Sequence, residues 1–502
     1  MAEAPDVARR ESEVANKSPR TSAVGNVPAG QRPDGTRSVA EASSANAELP
    51  YSPFSTRVKV TIVLITALTA LVGPLSAYMY YPSIQVVRDE FHTTQSAVTW
   101  TITVFVIAMA IFPLIWSNLA DKYGRKPIYV VSMLVYTCGS IGCALSRNLA
   151  ALIVSRIIQA AGSSAVQSSG AGTISDIYPR EQRGTAMGIY FLGPLLGPCL
   201  GPLIGGYVGQ DVSWRWVFWI LTIWGGIMTL LAVFVLPETH RRIVSKKYRI
   251  QQINIPPELS LKDNNPLVDI LTIRYPTIAL TFFLLSMVFG AFYTNTTGEA
   301  LAYQNVYGLS QGTSGLCFLA SGIGCVAGAL IGGRVIDLLL KRSKRVMIEN
   351  ANQDSEEEKA DLAKVKVPPE ARLGVVWIGT TLFLIGIITC GWLIDKHLSL
   401  AGVLVMQFCI GAGMAFTAQG LTGYLIDAFP NRAARITGAQ NFWRSVWGTA
   451  IVQLFPTILA NIGWGWTYTV MFFLTLLSFV GIMLVALKGR ELRAKYGPFD
   501  AP

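Results

Sequence analysis

The sequence predicts an all-α membrane protein whose twelve transmembrane helices form two pseudo-symmetric six-helix bundles. The first observation is composition: of 502 residues, 51% are hydrophobic and 14% are charged, whereas soluble proteins carry about 25% charged residues. The second is that apolar runs of about 20 residues, the length that crosses a bilayer, recur twelve times. The third is that these runs form two sets of six with related motifs, which indicates an internal repeat.

The apolar runs define the domain organisation in chain order. The first six lie near residues 60–81, 96–117, 128–145, 149–173, 185–208 and 215–236, and the second six near 277–297, 313–333, 373–394, 399–424, 434–459 and 464–487. The bundles therefore span residues 58–236 and 277–487. The other predicted segments are a disordered tail (1–57), a linker (237–276), a loop in the second bundle (334–372) and a C-terminal tail (488–502).

The distribution of basic residues predicts the orientation in the membrane. All but a few of the 41 lysine and arginine residues fall on the side that holds both termini. The opposite side holds Arg88, Arg147, Arg215 and Lys396. Because short cytoplasmic loops carry the basic excess, both termini are predicted to be cytoplasmic. The net charge of +11 then reflects topology and contact with the lipid bilayer, and it does not imply nucleic-acid binding.

Paired motifs support the repeat. SNLAD followed by KYGRK after the second run is similar to GRVID followed by LLLKR after the eighth. SWRWVFW at the start of the sixth run is similar to GWGWTYT at the start of the twelfth. All seven cysteines fall inside the runs, without the spacing of a metal site, so we interpret them as packing residues and predict no metal.

The segment SNLADKYGRKP, residues 117–127, resembles the signature GxLaDrxGRK of the major facilitator superfamily. Asp121, Gly124, Arg125 and Lys126 are in register with it. Within this family the chain resembles the twelve-helix drug:proton antiporters of fungi. The resemblance implies the major facilitator fold, and it implies that this loop is a latch between the halves that breaks when the transporter changes state. A simple positive-inside turn is the alternative.

The fourth run contains LIVSRIIQAAGSSA, which resembles a second family pattern, LxxxRxxQGxG. Insertion scales give a cost of at least about 2.5 to 3.5 kcal/mol for arginine in mid-membrane, so Arg156 must face protein or water. Gln159 lies one turn further along the same face. We predict that both residues belong to the transport or coupling machinery.

The fifth run contains GPLLGPCLGPLIGG, in which glycines recur every four residues. Its residues Gly197, Gly201, Pro202, Gly205 and Gly206 match GxxxGPxxGG, the antiporter signature of the family. The eighth run carries a similar stripe: Gly324, Gly328 and Gly332. Glycine stripes let helix backbones approach closely. Because the family places these two helices in contact across the halves, we predict that the stripes form a smooth moving seam; static packing is the alternative.

Polar residues in other runs are candidates for the substrate cavity. Arg444 is a second interior charge and a further candidate for the transport or coupling machinery, and Asn441, a cavity candidate, lies one turn before it. By symmetry, helices 1, 4, 7 and 10 should line a central site. The cavity candidates on these helices are Tyr78, Tyr293, Asn295, Gln407 and Gln419. Interhelical hydrogen bonding or packing is the alternative for each of these residues.

Glu299, near the outer end of the seventh run, is the candidate proton carrier, because no other acidic residue approaches mid-membrane. An ordinary carboxylate at the rim is the alternative. A cavity with two interior arginines and no central acid disfavours strongly cationic substrates. The predicted substrate is a neutral or anionic amphipathic organic molecule.

The leading hypothesis is a monomeric plasma-membrane exporter of drugs or secondary metabolites, driven by the proton gradient and without a cofactor. The segment KADLAKVKVPPEARLG resembles the quinidine-resistance and dityrosine-exporter branch. A proton-coupled uptake symporter and a transporter-like receptor are the alternatives. An enzyme is disfavoured, because the sequence lacks HExxH, GxSxG and GxxxxGK.

Overall fold

The computed structural model describes residues 52–178, 183–241, 243–244, 271–351, 369–429 and 433–495. Every regular element in these ranges is helical. The predicted N-terminal tail therefore lies almost entirely outside the described residues, as do most of the linker and parts of the loop 334–372 and the C-terminal tail.

The helices follow the predicted order. The first six are α1 (Thr56–Tyr78), α2 (Gln95–Tyr123), α3 (Arg125–Ala144), α4 (Leu149–Ile177), α5 (Arg183–Asp211) and α6 (Trp214–Phe234). The next four are α7 (Pro276–Asn305), α8 (Gln311–Ala351), α9 (Leu373–Asp395) and α10 (Leu400–Ala428). The run Ala433–Lys495 contains α11 and α12, on either side of Gly463. A 3₁₀ turn (Tyr81–Ser83) and a short helix (Ile84–Glu90) follow α1.

Gly463 separates the last two helices. Its φ of 76° and ψ of 180° lie in a region that only glycine occupies readily. Within the described ranges, eleven continuous helical stretches are long and apolar enough to cross a membrane, and the last of them is this pair. The twelve predicted spans are therefore all present as helices.

Several helices extend beyond the predicted spans, among them α8 and α7. α8 continues to Ala351, because KRSKRVMIEN has good helix formers and neither glycine nor proline. The segment LLLKR, compared above with the loop KYGRK, is therefore helical. α7 continues to Asn305 through TNTTGEALAYQN, where polarity had ended the apolar run.

Helix packing repeats between the N-half (α1–α6) and the C-half (α7–α12). In the N-half, α1 packs against α5, α2 and α3 pack against α4, and α3 packs against α6. In the C-half, α7 packs against α11, α8 and α9 against α10, and α9 against α12. The halves meet along two helix pairs, α5 with α8 and α2 with α11. Each contact type thus occurs twice, as an internal repeat requires.

Surface and interior have the polarity of a membrane protein. Large apolar side chains such as Leu64, Ile223 and Leu477 point outward, whereas many serines and threonines are buried. Most of these buried hydroxyls bond to the carbonyl one turn earlier, as Thr66 does to Ile62 at 2.7 Å. Their hydrogen bonds are thus satisfied inside the helix, and they leave compact surfaces for neighbouring helices.

Candidate transport site

Arg156 lies in the first third of α4 and is fully buried in the N-half. Its Nη1 donates to the Ser76 carbonyl oxygen of α1 at 3.0 Å and to Gln159 Oε1 at 2.9 Å. Gln159, also fully buried, donates through Nε2 to Ser140 Oγ of α3 at 2.9 Å. Both predicted residues therefore belong to one hydrogen-bonded cluster that joins three helices. Ser76 and Ser140 were not predicted.

Aromatic rings surround the Arg156 guanidinium. Its Cζ lies 4.2 Å from the ring centroid of Phe105, 5.0 Å from that of Tyr80 and 5.7 Å from that of Phe218. Among the described residues, no carboxylate pairs with it, and its Nε and Nη2 have no hydrogen-bond partner. Cation–π contacts of this kind stabilise a guanidinium that is not in water.

Glu299 is the centre of a matching cluster in the C-half. The side chain is fully buried, so the alternative of a rim carboxylate is wrong. Its Oε1 accepts from Asn295 Nδ2 at 2.7 Å, and Asn295 Nδ2 also donates to Gln407 Oε1 of α10 at 2.7 Å. Gln407 Nε2 donates to Asn295 Oδ1 at 3.2 Å and to Cys390 Sγ of α9 at 3.3 Å. Glu299 lies inside α7 because the helix extends beyond the predicted span.

The two clusters occupy equivalent helices. Cys143 Sγ of α3 lies 3.9 Å from Gln159 Oε1 of α4, as Cys390 of α9 contacts Gln407 of α10. One cluster contains a buried guanidinium and the other a buried carboxyl group. The recurrence of a cysteine and, about sixteen residues later, a glutamine in each half is a sequence signal that could have identified this pair of sites.

Aromatic residues and Arg444 lie where the halves face each other. Tyr78 of α1 is within electrostatic range of Tyr293 of α7 and of Arg444 of α11. The Arg444 guanidinium stacks 4.1 Å from the ring centroid of Phe289, which contacts the Tyr293 ring at 5.9 Å. The structure thus brings three predicted residues from both halves into one region. Phe289 was not predicted.

Two other cavity candidates lie apart from this region. Gln419 donates through Nε2 to the Ala329 carbonyl oxygen of α8 at 2.9 Å, so it joins α10 to α8. Asn441 is exposed, whereas its neighbour Gln440 is buried and donates to Thr422 Oγ1 at 3.1 Å. The structure therefore supports a packing contact for Gln419, and it places Asn441 outside the buried polar clusters.

The signature loop forms a helix cap. Gly124 lies between α2 and α3 with φ of 100° and ψ of 167°, and a Cβ there would be 2.6 Å from Glu238 Oε2. The Glu238 carboxylate accepts from the backbone N–H of Arg125 at 2.9 Å and from that of Lys126 at 3.1 Å. A carboxylate at a helix N-terminus is favourable because it satisfies free amides and complements the helix dipole. Glu238 was not predicted.

The side chains of the signature residues make their described contacts within the N-half. Arg125 contacts Asp121 Oδ1 and Asp176 Oδ2 of α4, each at 3.3 Å, and Lys126 Nζ donates to the Val233 carbonyl oxygen at 2.8 Å. The contacts described for these residues therefore do not form a latch to the C-half in this conformation.

A second ion pair repeats the Arg125–Asp176 contact. Arg372, just before α9, contacts Asp427 near the end of α10 through Nε–Oδ2 at 2.5 Å and Nη2–Oδ1 at 3.2 Å. Sequence reasoning missed both aspartates. The signal was available, because Asp-Ile-Tyr-Pro at 176–179 and Asp-Ala-Phe-Pro at 427–430 end equivalent helices.

The predicted seam of two glycine stripes is wrong. On α5, Gly197, Gly201 and Gly205 face α1 of the same half, where a Cβ at Gly201 would lie 2.8 Å from Tyr78 Cβ. They also meet Pro74 and Leu75 of α1 and Met79, which directly follows it. On α8, Gly324, Gly328 and Gly332 face α10, where they meet Phe408, Ala412, Ala415, Phe416 and Gln419. Spacing by four identifies a flat face, but it does not identify the helix that packs on it.

The contact between α5 and α8 uses other small residues. A Cβ at Gly322 would lie 2.7 Å from Cys199 Cα, and one at Gly315 would collide with the Pro202 carbonyl oxygen. A Cβ at Gly206 would lie 2.7 Å from the Gln311 carbonyl oxygen. Pro202 and Gly206 are thus the members of the predicted signature that reach the other half.

Four glutamines connect the halves at the end of the molecule where α1, α5 and α7 end, which we call the distal face. Gln304 Nε2 donates to the Pro82 carbonyl oxygen at 3.0 Å, and Gln311 Nε2 donates to Ser83 Oγ at 2.8 Å. The other two contacts are Gly312 N to Gln210 Oε1 at 2.8 Å and Thr103 Oγ1 to Gln453 Oε1 at 3.1 Å. We call these four contacts the glutamine clasp. They hold the distal face closed through hydrogen bonds between uncharged groups.

Comparison with known proteins agrees with this architecture. Residues 66–452 match the model of the Major Facilitator Superfamily. The chain therefore belongs to this family, and it is a membrane transporter of small molecules and not an enzyme. The helices make it a multi-pass membrane protein. The predictions of the major facilitator superfamily and of its fold are confirmed.

Relatives and solved structures cover most of the chain. It is 32% identical to the MFS transporter cpaT of Aspergillus oryzae over 428 residues, 82% of this chain and 83% of the relative. It is 28% identical to Citrate exporter 1 of Aspergillus niger, over 89% of this chain and 88% of that protein. A bacterial homologue of the human lysosomal transporter Spinster shares the fold, with a TM-score of 0.62 and 14% identity, over 89% of this chain and all of that one.

Proposed function

We propose that this protein exports a small amphipathic organic molecule by proton-coupled antiport. The observation that carries the proposal is Glu299, the one acidic side chain that is buried among the described residues. A carboxyl group can bind and release a proton, whereas its neighbours Asn295 and Gln407 cannot. Because a charged carboxylate is unfavourable in a dry interior, this site must open to solvent when the proton leaves.

Alternating access provides that opening. The glutamine clasp closes the distal face, which our topology prediction places outside the cell. In the described part of the chain the most extensive contacts between the halves are α5–α8 and α2–α11, so a rocking motion about these two helix pairs would open one face as the other closes. The signature loop, at the opposite face, would latch to the C-half after that motion.

The interior favours a neutral or anionic substrate. Arg156 and Arg444 provide positive charge, and Tyr78, Tyr293 and Phe289 provide apolar surface between the halves. The name of the relative Citrate exporter 1 supports both export and an anionic cargo. We further propose that the transporter is monomeric, that it lies in the plasma membrane with both termini cytoplasmic, and that it belongs to the quinidine-resistance and dityrosine-exporter branch.

Transport in proteoliposomes tests the coupling. A panel of fluorescent amphipathic compounds is loaded, and a pH gradient is imposed in either direction. We expect wild-type protein to move at least one compound against the direction of proton flow. The Glu299→Gln variant should lose this response to the gradient while retaining exchange of substrate on both sides, because glutamine can still accept the bond from Asn295.

The matched control is Asp89→Asn, which neutralises an exposed acid in the short helix after α1. It should behave as wild type. An unchanged response to the gradient in Glu299→Gln would rule out this residue as the carrier. Substrate movement in the same direction as the protons would indicate a symporter.

A further inference from the structure

Arg156 has one guanidinium edge that no described residue uses. Guanidinium carries five N–H donors, and here only Nη1 is bonded, to Ser76 and Gln159. Nε and Nη2 have no partner, although the residue is fully buried. These two nitrogens share the edge that can hold a carboxylate through two parallel hydrogen bonds.

The surroundings fix the direction of this edge. The bonds from Nη1 fix one end of the guanidinium, and Ser140 in turn holds Gln159. The Phe105 ring, with its centroid 4.2 Å from Cζ, covers the guanidinium. A planar group held on one end and beside a ring has little freedom to rotate, so its free edge is oriented before any ligand arrives.

An unpaired charge in this position requires an anion. Buried N–H donors without acceptors are costly, and a buried charge without a counter-charge is more so. No acidic side chain in the described part of the chain contacts Arg156. Tyr81 lies within electrostatic range of both Arg156 and Glu299, but it is not an acidic side chain that could neutralise the guanidinium. An anion supplied from outside the chain would therefore satisfy the site.

We propose that Arg156 binds a carboxylate of the transported molecule, side-on, through Nε and Nη2. This assignment rests on the proposed transport function and narrows its substrate class to amphipathic carboxylic acids. The apolar part of the ligand lies along the aromatic residues between the halves. Entry requires α1, α2 and α4 to separate slightly, because the site is closed in this conformation.

Thermal unfolding of the purified protein in detergent tests the site. The probe is 3-phenylpropionate, and 3-phenylpropionamide is the uncharged analogue of the same shape. We expect saturable stabilisation by the carboxylate, with an apparent affinity at least about tenfold higher than that of the amide. Arg156→Lys keeps the charge but loses the second parallel hydrogen bond, so its affinity for the carboxylate should fall about tenfold.

Arg156→Gln should abolish the preference for carboxylate over amide. Arg88→Gln, which removes a partly exposed cation of the same half, should leave the preference unchanged. If Arg156→Gln does not fold, Arg156→Lys decides the outcome. Equal stabilisation by acid and amide in wild type, or an unchanged affinity in Arg156→Lys, would overturn the proposal. This assay uses no pH gradient, so its result does not depend on proton coupling through Glu299. Either proposal can therefore be contradicted by its own experiment while the other is supported.

Discussion

At the scale of single residues, the start of α3 shows how one glycine and one carboxylate determine a local structure. Gly124 has a backbone conformation that side chains disfavour, and Glu238 fills the space that a side chain would need. The Glu238 carboxylate then accepts the first amides of the helix. The glycine of the family signature is therefore required by conformation and by space at once.

Gly124→Ala is expected to destabilise the protein, because the backbone conformation alone costs about 1 to 3 kcal/mol for other residues. The added methyl group would also displace Glu238. Thermal unfolding in detergent should show a lower midpoint temperature. The control is Gly226→Ala in α6, where a Cβ would meet nothing within 4 Å. A midpoint for Gly124→Ala equal to that of the control would contradict this account of the cap.

At the scale of helices, the glycine stripes stabilise each half internally. Gly201 lies against α1 and Gly328 lies against α10, whereas Gly322 lies against Cys199 in the other half. Substitutions in the stripes and at the contact between halves should therefore have different effects. Substitutions in the stripes should lower the stability of one half. Substitutions at the contact between halves should shift the equilibrium between transporter states.

Gly201→Ala should lower stability by about 1 to 3 kcal/mol, since the extra methyl group overpacks the α1–α5 contact. The Cβ would lie 3.0 Å from the Met79 backbone N, which cannot move without distorting α1. Chemical or thermal unfolding measures this effect. Gly333→Ala in α8, which meets nothing within 4 Å, is the control. A stability equal to that of the control would contradict this account of the α1–α5 contact.

Sequence reasoning predicted the helices well because the bilayer sets their length and polarity. It misjudged the depth of Glu299 because polar residues in TNTTGE interrupt the apolar run, although they are buried against other helices. It could not assign the partners of the glycine stripes, since flatness does not specify a neighbour. Arg156, Gln159 and Gln407 were identified correctly as interior polar groups, but the serines and cysteines that hold them have no distinctive side-chain signal on their own.

At the scale of the whole molecule, each described ion pair joins two residues of the same half, whereas the glutamine clasp joins the two halves. Neutral hydrogen bonds contribute about 0.5 to 1.5 kcal/mol each. The closed distal face is thus held by several small contributions. Removing one of these hydrogen bonds should shift the equilibrium between transporter states without unfolding either half.

Gln311→Ala should increase the population that is open at the distal face by about two- to tenfold, which corresponds to the loss of one hydrogen bond. Spin labels at two exposed residues, Val212 in the turn after α5 and Ile462 at the end of α11, would report this change as a longer distance component. Gln210→Ala should act in the same direction. Substitution of Gln419, which bonds within the C-half, is the control. An unchanged distance distribution in both clasp variants would show that other contacts close this face.

The clasp has a consequence for how the protein senses its surroundings. Amide and hydroxyl groups do not titrate as the medium acidifies, and bonds between uncharged partners are barely weakened by salt. The glutamine clasp therefore keeps the same strength in acidic, alkaline, dilute or saline media. Under the proposed proton coupling, acidity would act on the transport cycle through an ionisable group such as Glu299, and the hydrogen bonds that close the distal face would not respond to it.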